Sequence, residues 1–274
     1  MSVATHNIQA TYAFIERNAN LVKRYWAWEI VWMAYSIANA LSVSFIGLAM
    51  EALVGATIDS QFLVLYLVIG TLVWRYLSLI FIWITEVIQI ERWEGTIEYT
   101  LMAPIHRWVH MAGQTIFAVV YSMIFTGIIL AVMVALFEID LTRANLLGGV
   151  LVMIAGSFSF IGIGIMASVL PLLFPERGAQ MTHIVIAVLL LVSGVYYPIS
   201  VLPDSLQALS VVSPATYVLE GVRGALMEGA STASLWPFIW PVLIMGVVAI
   251  PAGLWVFSLA ERYAKRAGKL ARNG

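Results

Sequence analysis

Chemistry in this chain would have to come from a small set of side chains. The histidines are His6, His106, His110 and His183, and there is no cysteine. Thiolate catalysis, disulfides and cysteine-ligated metal are therefore excluded. His106 and His110 stand at i and i+4, the spacing of two ligands on one helix face. No Glu of an H-E-x-x-H pattern accompanies them, so no metal site is expected. The carboxylates are dispersed along the sequence, and no converging acid–base pair marks a catalytic centre. The lysines are Lys23, Lys265 and Lys269, and none occupies a G-x-x-x-x-G-K-[ST] loop. Without that cradle for phosphates, the chain is not itself an ATP-driven motor. What remains is a lone arginine inside an apolar run, Arg75, and one densely charged internal stretch, ERWEGTIEYTLMAPIHRWVH, from Glu91 to His110. Two tyrosines, Tyr196 and Tyr197, precede Pro198, and Asn39 and Gln114 are polar points in otherwise apolar runs.

The elements that must position these residues follow from composition. Hydrophobic residues are 62% of the 274 and charged residues 11%, with a mean hydropathy of +0.94. Average soluble domains are roughly 45–50% apolar and 25% charged, so lipid rather than water is the solvent this chain suits. A net charge of −1 gives no pull toward nucleic acid. No apolar core falls within the first two dozen residues, and no cleaved signal peptide is expected. A span needs roughly 20 mostly apolar residues. The stretches Ile30–Met50, Met111–Phe137, Ala144–Pro175, Gly178–Pro203 and Gly229–Ala260 satisfy this without a charge, and Ser60–Thr85 does so with Arg75 alone. Continuous apolar runs predict helices rather than the alternating strands of a barrel.

Orientation follows from the basic residues. With a cytoplasmic N-terminus, the inner segments hold Arg17, Lys23, Arg24, Arg92, Arg107, Arg177, Arg262, Lys265, Arg266, Lys269 and Arg272, whereas the outer ones hold only Arg143 and Arg223. This bias predicts an even number of spans and both termini in the cytoplasm of a cell membrane. Ile8, Tyr12, Ile15, Ala19, Val22 and Trp26 recur at helical spacing before the first span. They predict an amphipathic helix that lies on the cytoplasmic leaflet or packs on a partner protein. Between the last two spans, Ser200–Gly229 is too apolar for a solvated loop and too broken by proline for a span, so a re-entrant segment is expected.

Arg75 lies 14 residues after Gln61 and 11 before Glu86, roughly 21 Å and 16 Å from the two ends at helical rise. A charge that deep costs about 3 kcal/mol on insertion scales, so it must face protein or water. It either pairs with a carboxylate, for which Glu51 and Glu220 are conceivable, or with backbone carbonyls, or it faces a conduit and attracts an anionic head group. Asn39 and Gln114 suit interhelical hydrogen bonds. The small residues of Gly156–Gly164 suit close helix packing, and lie within the membrane where no dinucleotide fingerprint would. Tyr196 and Tyr197 are gate candidates because they precede the break at Pro198.

Two segments carry a family resemblance that extends over essentially the whole chain. Glu91-Arg92-Trp93-Glu94-Gly95-Thr96-Ile97-Glu98 followed by Pro104 is similar to the E-R-x-x-G-T-[LI]-E…P segment of ABC-2 type transporter permeases, which are related to the ABCG-like (type V) exporters. Ser193-Gly194 through Tyr197-Pro198, Leu202-Pro203, Leu206, Pro214, Thr216-Tyr217, Glu220 and Arg223 resembles their S-G-x-x-[FY]-P…L-P…P-x-T-Y-x-x-E-x-x-R pattern. Arg75 is a departure from that pattern. The resemblance implies an all-α polytopic membrane protein: an interfacial helix at 1–29, spans at 30–54, 61–88, 111–137, 145–174, 178–199 and 232–260, a cytoplasmic coupling helix at 91–105, an external re-entrant segment at 200–229 and a basic tail at 261–274. It implies a permease that dimerises with itself or a paralogue and docks two separate ABC ATPase subunits, on which ATP and Mg are held. Glu91, Arg92, Glu94, Gly95, Thr96, Glu98 and Pro104 would couple to them. Arg75, Asn39, Tyr196, Tyr197, Pro198 and Glu220 are the conduit and gate candidates. A drug or lipid-like cargo moving outward is expected because the spans are nearly free of charge; a lipid-linked glycan or a peptide is the alternative. A lipid-modifying membrane enzyme would want clustered titratable groups, and a proton-driven carrier would want carboxylates within the spans; neither pattern is present.

Overall fold

A computed structural model of the chain describes residues 3–54 and 60–269, with side chains over 5–50 and 61–269. Its elements are α1 (Val3–Arg24), α2 (Trp26–Val54), α3 (Ser60–Glu94), α4 (Ile97–Met102), α5 (Arg107–Phe137), α6 (Leu146–Ala167), α7 (Val169–Leu173), α8 (Gly178–Val192), α9 (Asp204–Ser210), α10 (Pro214–Met227) and α11 (Trp236–Arg266). Among the described residues there is no strand, in keeping with an all-α membrane protein. Among the described residues, five helices are long and apolar enough to cross a membrane: Trp26–Met50, Gln61–Glu94, Arg107–Phe137, Leu146–Leu173 and Trp236–Arg266. The remaining expected span is represented by α8, whose 15 residues reach ~22 Å at helical rise, short of a ~30 Å hydrocarbon layer.

Helix ends depart from the expected ones for local reasons. α3 continues past 88 to Glu94, because no helix breaker occurs before Gly95. There the chain makes a Schellman turn: Gly95 takes φ 74°, its N–H donates to the Arg92 carbonyl (3.3 Å), and Thr96 N–H donates to the Glu91 carbonyl (2.9 Å). Four residues of the segment expected as coupling helix are thus the last turn of α3, and only Ile97–Met102 form the separate α4. α8 stops at Val192 rather than near 199, where Gly194 turns the chain at φ 68°.

α3 is the hub of the fold, touching α2, α5, α6, α7, α8 and α10. Tyr76, Leu77, Ile80, Phe81 and Ile88 on it are fully buried, and Tyr76 Oη meets Ser157 Oγ of α6 at 2.9 Å. The small-residue run of α6 packs as its composition suggests: a methyl on Gly156 would meet Val218 of α10, and one on Gly162 would meet Ala249 of α11. α1 lies against α5 through Thr11, Phe14 and Asn18, with Asn18 donating to Gln114. Its apolar stripe points away from that contact, leaving Ile8 (70%), Tyr12 (63%) and, at the head of α2, Trp26 (63%) exposed.

Candidate functional site

Two groups of residues stand out in the fold. The first surrounds α4. Glu91, in the last turn of α3, is completely buried, and its Oε1 accepts from Arg17 Nη1 of α1 at 2.7 Å, with His110 Nε2 of α5 at 3.5 Å. The Phe14 ring covers His110, with centroids 4.7 Å apart. Arg92 is buried as well. Glu94, Trp93, Tyr99, Met102 and Pro104 are exposed, and Glu98, Gly95 and Thr96 are half-buried. The charged stretch therefore separates into an inward half that ties α3 to α1 and α5, and an outward half that presents mixed aromatic and acidic surface.

α4 is fastened by a neighbour the sequence did not single out. Arg107, at the first position of α5, donates Nη1 to the Thr100 carbonyl at 3.1 Å and Nη2 to that of Leu101. These are carbonyls at the end of a six-residue helix, which have no partners within it. The same guanidinium forks onto Glu261 of α11, Nε to Oε2 at 2.8 Å and Nη2 to Oε1 at 2.9 Å. Lys265 reaches Glu261 at 2.7 Å and the Leu101 carbonyl at 3.3 Å. α4 is thus joined covalently to α3, and by charged hydrogen bonds to α5 and α11. Gln89 and Trp93 of α3 also donate to the Pro175 carbonyl in the α7–α8 connection, which brings a further element to the same end.

The second region is a pair of cavities between α3 and the segment that follows α8. The six conduit and gate candidates divide evenly between them. Asn39, Arg75 and Tyr196 line an inner cavity of about 250 Å³, and Tyr197, Pro198 and Glu220 line an outer one of about 550 Å³. The consecutive tyrosines face different cavities, so the Ser193–Pro198 segment is a partition between them. Its anchor is Arg223 of α10, whose guanidinium lies over the Tyr66 ring at 3.6 Å and donates to the carbonyls of Gly194 (3.2 Å) and Val195 (2.8 Å). A Cβ on Gly70 would lie 2.2 Å from the Val195 carbonyl oxygen, so α3 admits the partition only where it has no side chain. Ser193 and Ser213 hydroxyls close the segment's other side at 2.8 Å. Burial pushes the Glu220 carboxyl up, opposed by the nearby Arg223 charge.

Arg75 has a different environment. Its guanidinium stands 5.3 Å from the Phe125 ring, with the phenols of Tyr121 and Tyr35 nearby. Among the described residues it forms no ion pair within 4.0 Å, and its buried Nε has no hydrogen-bond partner. Glu220 lies in the other cavity and does not serve as its partner. The Glu51 side chain is outside the described residues; its place on α2 is twelve residues beyond Asn39, ~18 Å along the helix at 1.5 Å per residue.

Arg17, His110, Arg107 and Glu261 are the contributors that sequence reasoning missed. Their partners are 74, 19, and 154 residues away in sequence for the Arg17–Glu91, His110–Glu91 and Arg107–Glu261 pairs, and no local spacing signals them. Burial of charge was the available clue for Glu261, which sits one residue before Arg262 at the end of an apolar span.

Comparison with known proteins adds the following. The model of the ABC-2 type transporter family matches residues 31–227. Proteins described as the probable multidrug ABC transporter permease YbhR, from Escherichia coli strain K12 and from Escherichia coli O157:H7, are each 24% identical over 156 residues. That alignment covers 57% of this chain and 42% of each relative, so the chain matches less than half the length of these curated proteins.

Proposed function

The chain belongs to the ABC-2 type transporter family, and from that premise we propose that it is the permease subunit of an ATP-driven exporter, moving a hydrophobic or amphipathic drug or lipid-like substrate outward by alternating access. As a member it is a transport subunit, held in the membrane by several apolar helices. In this reading ATP and Mg are held by two separate ABC ATPase subunits, and the permease pairs with a second copy or a paralogue. Residues 178–199, α8 with the segment that follows it, contribute the sixth crossing, and both termini lie in the cytoplasm of a bacterial or archaeal cell; the distribution of Lys and Arg supports this. The exposed stripe of Ile8, Tyr12 and Trp26 supports a place for α1 on the cytoplasmic leaflet.

The observation that carries the reading is the fastening of α4. A short helix with exposed Trp93, Glu94, Tyr99 and Met102 around it suits docking to a soluble partner. Because α4 is tied to α3 by the Gly95 turn and to α11 through Arg107 and Glu261, force applied there reaches two long helices at once. α3 in turn forms walls of both cavities. Closure of the ATPases pushes α4, and α3 shifts against the Ser193–Pro198 partition, opening the inner cavity toward the outer one.

The test is reconstitution with the ATPase subunit. Wild-type permease is expected to co-purify with it, to stimulate hydrolysis, and to drive ATP-dependent efflux of a hydrophobic dye from vesicles. Retention of ATP-driven efflux by Glu94→Arg and Glu98→Arg variants would remove the coupling role from α4.

A further inference from the structure

Two half-buried arginines lie along the cavities, and they differ in what already satisfies them. Arg223 has two carbonyl acceptors and a ring at 3.6 Å, so its charge is committed to holding the partition. Arg75 has neither carbonyl nor carboxylate among the described residues. The Tyr121 phenol beside it donates to Glu29, which is thereby engaged, and Glu86 also acts on that phenol. Arg75 nonetheless borders a cavity of about 250 Å³, the volume of roughly eight waters at their liquid share of ~30 Å³ each. Around it stand hydroxyl, amide and imidazole groups, Ser36, Asn39, Thr71, His183 and Tyr196, beside Trp74 and Leu72. No Asp or Glu lines this cavity among the described residues. A cation among neutral polar groups and aromatic walls, in a setting of low dielectric, favours a negative guest and disfavours a positive one.

We propose that the inner cavity is a binding site for an organic anion, with Arg75 receiving the sulfonate, carboxylate or phosphate group and the aromatic and aliphatic wall receiving the attached apolar body. The proposal deepens the exporter reading by naming the charge class of the cargo, and it rests on that reading only for the statement that the bound anion is carried. Arg75 supplies a fork that suits two oxygens of one anionic group. A guest of drug size exceeds this cavity, so the anionic group and its adjoining ring occupy it while the remainder lies in the opening toward α2 and α8. The anion source is either the head group of an acidic lipid or a free amphiphile; the recognition chemistry is the same for both.

The test uses two fluorescent probes that differ by one charged group, anilinonaphthalenesulfonate and its uncharged parent phenylnaphthylamine. Each is titrated onto the full chain in phosphatidylcholine nanodiscs, with empty nanodiscs as the blank. The sulfonate is expected to lose about tenfold or more in affinity on Arg75→Leu, the scale of one charge-assisted hydrogen bond, and Arg75→Lys is expected to recover a large part of it. The uncharged parent is expected to change less than about twofold, since it carries no group for the guanidinium to hold. Equal losses for both probes, or no loss for the sulfonate in a variant with wild-type helical content, would overturn the site. Repeating the titration with phosphatidylglycerol in the nanodisc separates the sources: competition identifies a lipid head group as the guest, and undiminished binding identifies a free amphiphile, each in support of the anion site. These titrations need no ATPase. Binding that depends on Arg75 without ATP-driven transport leaves the site standing and removes the exporter reading, and the converse result does the reverse.

Discussion

Glu261 receives both Nε and Nη2 of Arg107, at 2.8 and 2.9 Å, across the end of α4. The pair is mostly buried, with 19% and 9% of the two side chains exposed. Removing the arginine strands a carboxylate that, among the described residues, only Lys265 still meets; it frees the Thr100 carbonyl and leaves that of Leu101 to Lys265 alone. Arg107→Ala is expected to destabilise the protein by about 2–3 kcal/mol, below the usual range for orphaning a buried charge because Lys265 remains. Amide exchange in 97–102 should accelerate more than exchange in α5. Unchanged exchange there would mean that the guanidinium does not hold α4.

Glu91 gives a second measurable coupling. Its carboxylate is shared by Arg17 and His110. Arg17 is a third exposed, so Arg17→Ala is expected to cost about 1–2 kcal/mol, with His110 limiting the loss. Glu91→Gln removes the charge the arginine answers. The double variant should therefore be more stable than the sum of the single effects predicts, by about 0.5–3 kcal/mol in a thermal or denaturant series. Simple additivity would show the two groups to be energetically independent.

Substitution at Gly70 probes the partition. An added methyl has the Val195 carbonyl oxygen 2.2 Å away, and backbone cannot yield as a flexible side chain does. Gly70→Ala is expected to cost about 1–3 kcal/mol, as overpacking does, and to lower the thermal midpoint. A midpoint equal to wild type would place the Gly194–Tyr196 backbone elsewhere than against α3.

Exposure distinguishes two glutamates three residues apart. Glu94 is on the surface, whereas Glu91 is wholly buried. Glu94→Arg should leave folding intact, judged by helical content and elution volume, while weakening capture of the ATPase subunit. Glu91→Arg should fail at folding itself, because it puts a buried cation against Arg17. A well-folded Glu91→Arg protein would contradict the buried pairing.

Arg75 offers the opposite sign. Because it has no ion pair among the described residues, Arg75→Leu should leave the thermal midpoint unchanged or raise it, relieving a desolvated charge of about 3 kcal/mol on insertion scales. A marked fall in the midpoint would reveal a structural partner.

The long apolar runs made the helices legible, because lipid leaves the backbone no other satisfactory arrangement. Hydropathy fails at the ends of those helices for a physical reason. It falls where lipid gives way to water, whereas a helix ends where the backbone is turned, so α3 runs on through Glu91 to Gly95. The charged stretch is conspicuous in the sequence, but its periodic glutamates do not reveal that Glu91 points inward and Glu94 outward. That division depends on α1 folding back to bring Arg17 beside it. The conduit candidates fall in two chambers, and neither that division nor the Arg223 anchor could be inferred from spacing. Pairings across 154 residues, as between Arg107 and Glu261, depend on the rotation of two helices that sequence alone leaves open.

α3 is one unbroken helix of 35 residues, with Gly70 at the partition, Arg75 in the inner chamber and Glu91 at the foot. Along such a rod each residue is turned ~100° from the last, so these three positions are fixed in azimuth as well as in height. A single residue inserted between Arg75 and Glu91 would rotate one end against the other by more than a quarter turn. It would swing the arginine off its chamber or the glutamate off Arg17, although every named side chain were still present. The protein therefore stores a phase relationship in the length of α3, and homologous chains that keep both ends in use can vary this helix in composition far more freely than in residue count.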